Sequence, residues 1–299
     1  MDTGPRLRLN NGVEMPALGL GLFLAPADET TGAVVTAIND GYRLIDTAAG
    51  YLNERAVGEG IRRSGINRSE MFVTTKLWVT DYGYDEALRA FDLSLDRLGL
   101  DYLDLYLLHW PTPEQFDKTL AAYHAAEKLL TEGRVRAIGV CNFVPSRLET
   151  LISQTDVVPA INQVELHPFY NQRETREADA RDGIITQSWA PIGGIFTRLQ
   201  SLGREVSGHP LEHPVVLELA RKYGKTAAQI IIRWHLDHGL SVIPKSVKPS
   251  RIAENIGVFD FQLTNEDVAR IDELDKGMRA GPDPETFSRD SYQVDVTAQ

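Results

Sequence analysis

Two periods of apolar residues alternate along the chain. Short runs rich in Leu, Ile, Val and Phe read as strands at residues 17–22, 43–47, 72–76, 103–109, 137–142, 161–165, 184–189 and 240–245. Between them apolar positions recur every three or four residues, the helical spacing. This predicts helices at 30–39, 54–64, 84–98, 117–131, 145–153, 173–181 and 214–237, the last broken at Gly224, with further helices at 250–256 and 264–274. Ahead of the first strand, residues 7–16 read LRLNNGVEMP, and Asn11-Gly12 between apolar positions predicts a hairpin.

Eight strands, each followed by a helix, predict parallel strands covered on their outer face. No Ser-, Gly- or Pro-rich linker divides the chain. One α/β domain over 1–299 follows: a hairpin at about 7–16, a (β/α)8 TIM barrel at about 17–275, and an irregular tail at about 276–299. In such a barrel the site lies at the carboxyl ends of the strands, so those residues are the candidates.

Charge and composition narrow the function. The chain carries 31 basic and 42 acidic side chains, a net charge of −11. That balance argues against a basic nucleic-acid face or an anchor on an anionic membrane. One cysteine supports neither a disulfide framework nor a Cys-rich zinc site. No apolar run has the length of a spanning helix, and the start, MDTGPRLRLN, has no apolar core, so the expected compartment is the cytoplasm.

Three successive strand ends hold an acid–base set. Asp46 and Tyr51 lie in DTAAGYLNE, Lys76 in VTTKLW and His109 in LLHWP. A phenol with a pKa near 10 is a weak donor at neutral pH, and a neighbouring ammonium favours its ionised form. Lys76 is suited to supply that ammonium, Asp46 to hold Lys76, and His109 to bond an oxygen that gains charge. The combination suits carbonyl reduction, with a hydride arriving at carbon and a proton at oxygen.

DTAAGYLNE, TTKLW, LLHWP, GVCNF, NQVELHP and IPKSVKPSRIAENIGVFDF together resemble the aldo-keto reductases, over about 7–274, and most resemble the bacterial branch that includes 2,5-diketo-gluconate reductases. The resemblance implies a (β/α)8 barrel, NADPH, and a catalytic tetrad at Asp46, Tyr51, Lys76 and His109, with Tyr51 as proton donor. It implies that Asn142 and Gln163 hold the nicotinamide carboxamide and that Trp189 stacks on the ring. Ala190, Pro191 and Ile192 would meet the pyrophosphate; Lys245, Ser246 and Arg251 the 2′-phosphate; Glu254 and Asn255 the adenine. Phe23, Trp78 and Trp110 match aromatic positions lining the carbonyl pocket, beside His109. The basic cluster agrees independently, since Lys245, Lys248 and Arg251 stand beside a helix start in an acidic protein. Cys141 replaces the serine that relatives often carry before the asparagine, and the loop after His109 is shorter than in many of them.

Other signals are set aside. His209-Pro210-Leu211-Glu212-His213 fits H-x-x-E-H, but Pro210 and Pro214 disfavour the helix a zinc site needs; a loop is expected, with Pro214 opening the next helix. No metal is expected. Gly19-Leu20-Gly21 lacks the third glycine of a dinucleotide fingerprint at Leu24. The reading is an NADPH-dependent reductase of small carbonyl compounds, expected as a monomer. The alternative is a barrel that binds NADPH as a sensor or regulatory module without significant turnover.

Overall fold

The protein is described from a computed structural model that covers residues 4–203, 208–292 and 294–297. Positions 1–3 of the expected domain and positions 293, 298 and 299 of the expected tail lie outside the described residues.

The hairpin forms as β1 (Arg6–Arg8) and β2 (Glu14–Pro16), antiparallel, with Arg6 opposite Pro16 and Arg8 opposite Glu14. Gly12 supplies the positive φ of +87° that the turn requires. Asn10 and Asn11 donate to the carbonyls of Pro159 and Arg136, tying the turn to residues at the start of two barrel strands. Leu9 and Met15 then pack against Leu44, Phe72, Leu105 and Ile161 in the barrel interior. The hairpin thus plugs the amino-terminal end and leaves the other end for chemistry.

The barrel strands are β3 (Leu20–Gly21), β4 (Leu44–Asp46), β5 (Phe72–Leu77), β6 (Leu103–Leu108), β7 (Val135–Cys141), β8 (Ile161–Glu165), β9 (Ile185–Trp189) and β10 (Ser241–Val242). Each pairs in parallel with its sequence neighbours. Closure between β10 and β3 runs through single bridges, Leu18 with Val242 and Gly21 with Lys245. These two strands are shorter than the apolar runs predicted. At the seam Gly19 donates to Val242 and Gly21 to the carbonyl of Pro244, which has no N–H to return.

The helices are α1 (Ala27–Asn39), α2 (Glu54–Ser64), α3 (Tyr84–Leu98), α4 (Phe116–Thr131), α5 (Pro145–Ile152), α6 (Arg173–Arg181), α7 (Gly194–Ser201), α8 (Pro214–Tyr223), α9 (Ala227–Asp237), α10 (Pro249–Ile256) and α11 (Asn265–Asp272). Gly224 ends α8 with a φ of +62°, and Thr226 opens α9 with a reciprocal capping box to Gln229, so the expected break falls where the sequence put it. Pro214 stands at the first position of α8, while His209 and His213 accept backbone N–H bonds through Nδ1 as caps. The run around His209 is a loop with one 3-10 turn, as expected. Helix α7 was not predicted, because Gly193-Gly194 reads as a breaker.

Helix faces bury Val34, Val57, Phe91, Leu95, Tyr123 and Leu129 against the outer side of the sheet. Each such side chain contributes roughly 1.5–3 kcal/mol on leaving water. A buried polar tie joins two helices to β5. Glu54 accepts from Thr75 at 2.6 Å and pairs with Arg97 at 2.9 Å. Thr75 therefore faces the helices, and its neighbour Lys76 faces the barrel interior, as strand alternation demands.

Candidate active site

The carboxyl ends of β4, β5 and the residue after β6 deliver Asp46, Lys76 and His109 to one mouth. Tyr51 arrives on a 3-10 turn, Ala49–Tyr51, directly after β4. Lys76 Nζ is the hub. It donates to Asp46 Oδ1 at 2.5 Å, to the Thr47 carbonyl at 2.8 Å and to Tyr51 Oη at 3.4 Å. Lys76 is fully buried, so only an ion pair with completed hydrogen bonds makes its charge tolerable there. Burial works against the ammonium, but Asp46 and Tyr51 outweigh it, and the Lys76 pKa lies above its ordinary value.

Burial pushes the Tyr51 phenol up; Lys76 pulls it down, Asp46 pushes it up, and burial prevails. This corrects the expected net effect of Lys76: the ammonium lowers the phenol only relative to what burial alone would impose. The hydroxyl is therefore protonated at neutral pH. Burial, with Lys76 adding to it, holds His109 well below the ordinary imidazole pKa, so the ring is neutral. Its Nδ1 is buried with no hydrogen-bond partner among the described residues.

Asp46 is anchored from behind. Gln163 Nε2 donates to Asp46 Oδ2 at 2.8 Å and to Gln187 Oε1 at 2.7 Å, and Gln187 donates to Ser241 at 2.8 Å. One polar chain thus runs across the barrel top from β4 to β10. Asn142, with a φ of +64°, follows β7; its Nδ2 donates to the His109 carbonyl at 3.0 Å, and its Oδ1 accepts from Trp189 Nε1 at 2.9 Å. Left-handed backbone at a non-glycine residue costs of order 1–3 kcal/mol and persists where a site demands it. Ala190, with φ +51°, shares that feature, and Pro191, Ile192 and Gly193 lead from it into α7.

Beyond β10, Lys245, Lys248 and Arg251 are exposed, and among the described residues none forms an ion pair. Ser246 is buried and caps the turn by accepting from Lys248 N at 3.1 Å. Asn255 is buried on α10. Glu254 is already engaged, accepting from Thr226 Oγ1 at 2.7 Å, which ties α10 to the start of α9. An unpaired basic cluster, buried carboxamides and a half-buried indole stand towards the carboxyl ends of β7 to β10, a set that fits a phosphorylated dinucleotide.

The wall of the mouth is aromatic. Phe23 meets Tyr51 edge-on at 5.2 Å between centroids, and Trp78 meets His109 edge-on at 5.1 Å. The backbone of Trp110 is fixed by Tyr82, whose hydroxyl donates to its carbonyl and accepts from its backbone N–H. Two contributors escaped sequence reasoning. Phe287, from the tail, stacks on Trp110 at 4.1 Å, and Arg198 of α7 lies over the Phe23 ring at 5.3 Å. Neither carries a local signal, because each contact joins segments far apart in the chain. A third, Glu165, ends β8 and pairs with His167 at 3.1 Å; NQVELHP held both residues, but their pairing was not anticipated.

The Aldo/keto reductase family model matches residues 18–276. Morphine 6-dehydrogenase of Pseudomonas putida is 54% identical over 288 residues, 96% of this chain and 97% of that protein. Methylglyoxal reductase of Escherichia coli is 46% identical over 286 residues, 94% of this chain and 97% of that protein. The crystal structure of a Bombyx mori aldo-keto reductase in complex with NADP is similar at a TM-score of 0.87 and 36% identity, covering 96% of this chain and 98% of that one.

Proposed function

The chain belongs to the aldo/keto reductase family, and we propose that it reduces aldehydes and ketones to alcohols with NADPH, Tyr51 delivering the proton. The observation that carries this reading is the contact of Lys76 Nζ with both Asp46 and Tyr51 at the mouth of the barrel. When bound, NADPH supplies the hydride.

The protein supplies orientation, a proton and an electrostatic setting. His109 and Tyr51 bracket the carbonyl oxygen, the neutral imidazole as hydrogen-bond donor and the protonated phenol as acid. As its proton leaves, Tyr51 gains charge, and the Lys76 ammonium at 3.4 Å stabilises it. Asp46 keeps Lys76 charged in a buried place. Asn142 and Gln163 hold the carboxamide of the cofactor, and Trp189 covers its ring. Ala190, Pro191 and Ile192 receive the pyrophosphate; Lys245, Ser246 and Arg251 receive the 2′-phosphate; Glu254 and Asn255 stand at the adenine. Phe23, Trp78 and Trp110 exclude water from the reacting carbonyl.

In this reading the hairpin, barrel and tail act as one domain, a monomer in the cytoplasm. The net charge of −11 favours a dissolved chain over one held on an anionic surface. Among the described residues no helix is long and apolar enough to cross a membrane. A sensor without turnover finds no support at this site, since all four acid–base residues are present. The test is NADPH oxidation with a panel of small aldehydes and ketones, NADH run beside it. No turnover with any of them would overturn the proposal.

A further inference from the structure

Glu165 takes no part in the steps above, yet it is fully buried at the end of β8. Its Oε1 accepts from the backbone N–H of Ala280 at 2.7 Å and its Oε2 from that of Gly281 at 2.8 Å. Both amides belong to the tail. The same stretch is fastened nearby, where Lys276 and Met278 donate their N–H groups to the Phe169 carbonyl at 3.0 and 3.1 Å. Arg279 donates to Tyr170 Oη at 2.5 Å. The tail is therefore stapled to the loop after β8 before it reaches the mouth.

Gly281 shows what the staple presses against. A methyl group there would stand 2.6 Å from Trp189 Cη2 and 2.7 Å from Glu165 Oε2, inside van der Waals contact with both. The tail backbone thus backs the benzo end of the indole, while Asn142 accepts from its Nε1. Further along the tail, Phe287 stacks on Trp110.

We propose that Glu165 is a positioning residue: by clasping the amides of Ala280 and Gly281 it seats the tail against Trp189, and so sets both the indole that faces the cofactor and the Phe287 that lines the carbonyl pocket. The cofactor half rests on the NADPH reading; the clasp itself does not. Glu165→Gln replaces one acceptor oxygen with an NH2 that faces a backbone N–H. Gly281→Ala adds a methyl group from the tail side of the same contact.

Two readouts test it. Trypsin cleavage after Lys276, Arg279 and Arg289, measured without cofactor, reports how often the tail lifts off. Cleavage of Glu165→Gln should be roughly tenfold faster, as for the loss of one hydrogen bond of this kind. NADPH affinity of Gly281→Ala, by fluorescence titration, should fall severalfold, because the methyl displaces either Trp189 or the tail that backs it. Cleavage of Glu165→Gln at the wild-type rate overturns the clasp. Wild-type affinity in Gly281→Ala overturns the backing of Trp189. Failure of the wild-type protein to bind NADPH would instead sink the cofactor reading, and the cleavage arm would still decide the clasp.

Discussion

At the scale of single residues, the chemistry turns on how burial and charge compete at Tyr51. Burial outweighs Lys76, so the resting phenol keeps its proton, and in the proposed mechanism the ammonium acts when the proton leaves. Tyr51→Phe removes one hydroxyl and keeps the ring that packs on Phe23. Its kcat should drop by about 10²-fold or more, the usual general-acid effect, with NADPH affinity near wild type. More than about a tenth of the wild-type kcat in single-turnover assays would remove Tyr51 from the role. The pH profile follows from the same balance. An acid with a raised pKa stays protonated, so kcat for reduction should not fall on approach to the ordinary phenol value of about 10. Because His109 lies well below its ordinary value, no inflection should appear near about pH 6.5. A bell centred in the neutral range would contradict both assignments. The four positions that meet at the mouth were legible because each lies at or just beyond a strand end within a local motif. The sign of the Tyr51 shift was not, since it depends on how completely the barrel top encloses the ring. Phe287 and Glu165 escaped for a related reason, as each contact joins the tail to the barrel.

At the scale of elements, local chemistry explains where reading succeeded. Three helices keep the bounds read from their periodicity, α2, α3 and α6, and each begins or ends at a breaker or charged turn. Helix α7 and the ladder lengths of β3 and β10 were misjudged, because glycines and a seam proline act through tertiary context. One element junction also carries a testable cost. Asp179 of α6 accepts from Asn162 of β8 at 3.0 Å and from Thr186 of β9 at 2.6 Å. Burial raises its carboxyl to about 7, against the pull of those two bonds. The folded chain therefore holds this proton more tightly than the unfolded chain. The resulting stabilisation is complete below about pH 4 and is lost as pH rises to about 7. The loss is on the order of 4 kcal/mol. Asp179→Asn keeps an acceptor for Asn162 and a donor for Thr186 but does not ionise. Its melting temperature should exceed that of the wild type at pH 8, with the gap closing towards pH 5. Parallel melting curves across that range would show that Asp179 does not titrate there.

At the scale of the whole molecule, net charge and local charge oppose each other. A chain at −11 repels a ligand bearing a 2′-phosphate through its long-range field, which salt screens within about 10 Å at 0.1 M. Affinity for NADPH over NADH therefore has to come from groups in contact with that phosphate. Lys245 and Arg251 are exposed, unpaired among the described residues, and set where the chain turns into α10 at the site end of the barrel. Lys225, by contrast, is held by Asp260 at 2.6 Å, and Lys222 by Asp267, so neither is free to receive an anion. A charge-assisted bond contributes about 1.5–3 kcal/mol. Arg251→Ala should thus weaken NADPH binding by roughly 10- to 150-fold, a tenfold change for each 1.4 kcal/mol. NADH binding should hardly change, since it presents no phosphate there. The NADPH dissociation constant should also become less salt-sensitive in the variant, because one contact that salt screens has gone. Fluorescence titration of both cofactors at two salt concentrations measures all three. Equal weakening of NADPH and NADH would mean that Arg251 supports α10 or the adenine instead of the phosphate.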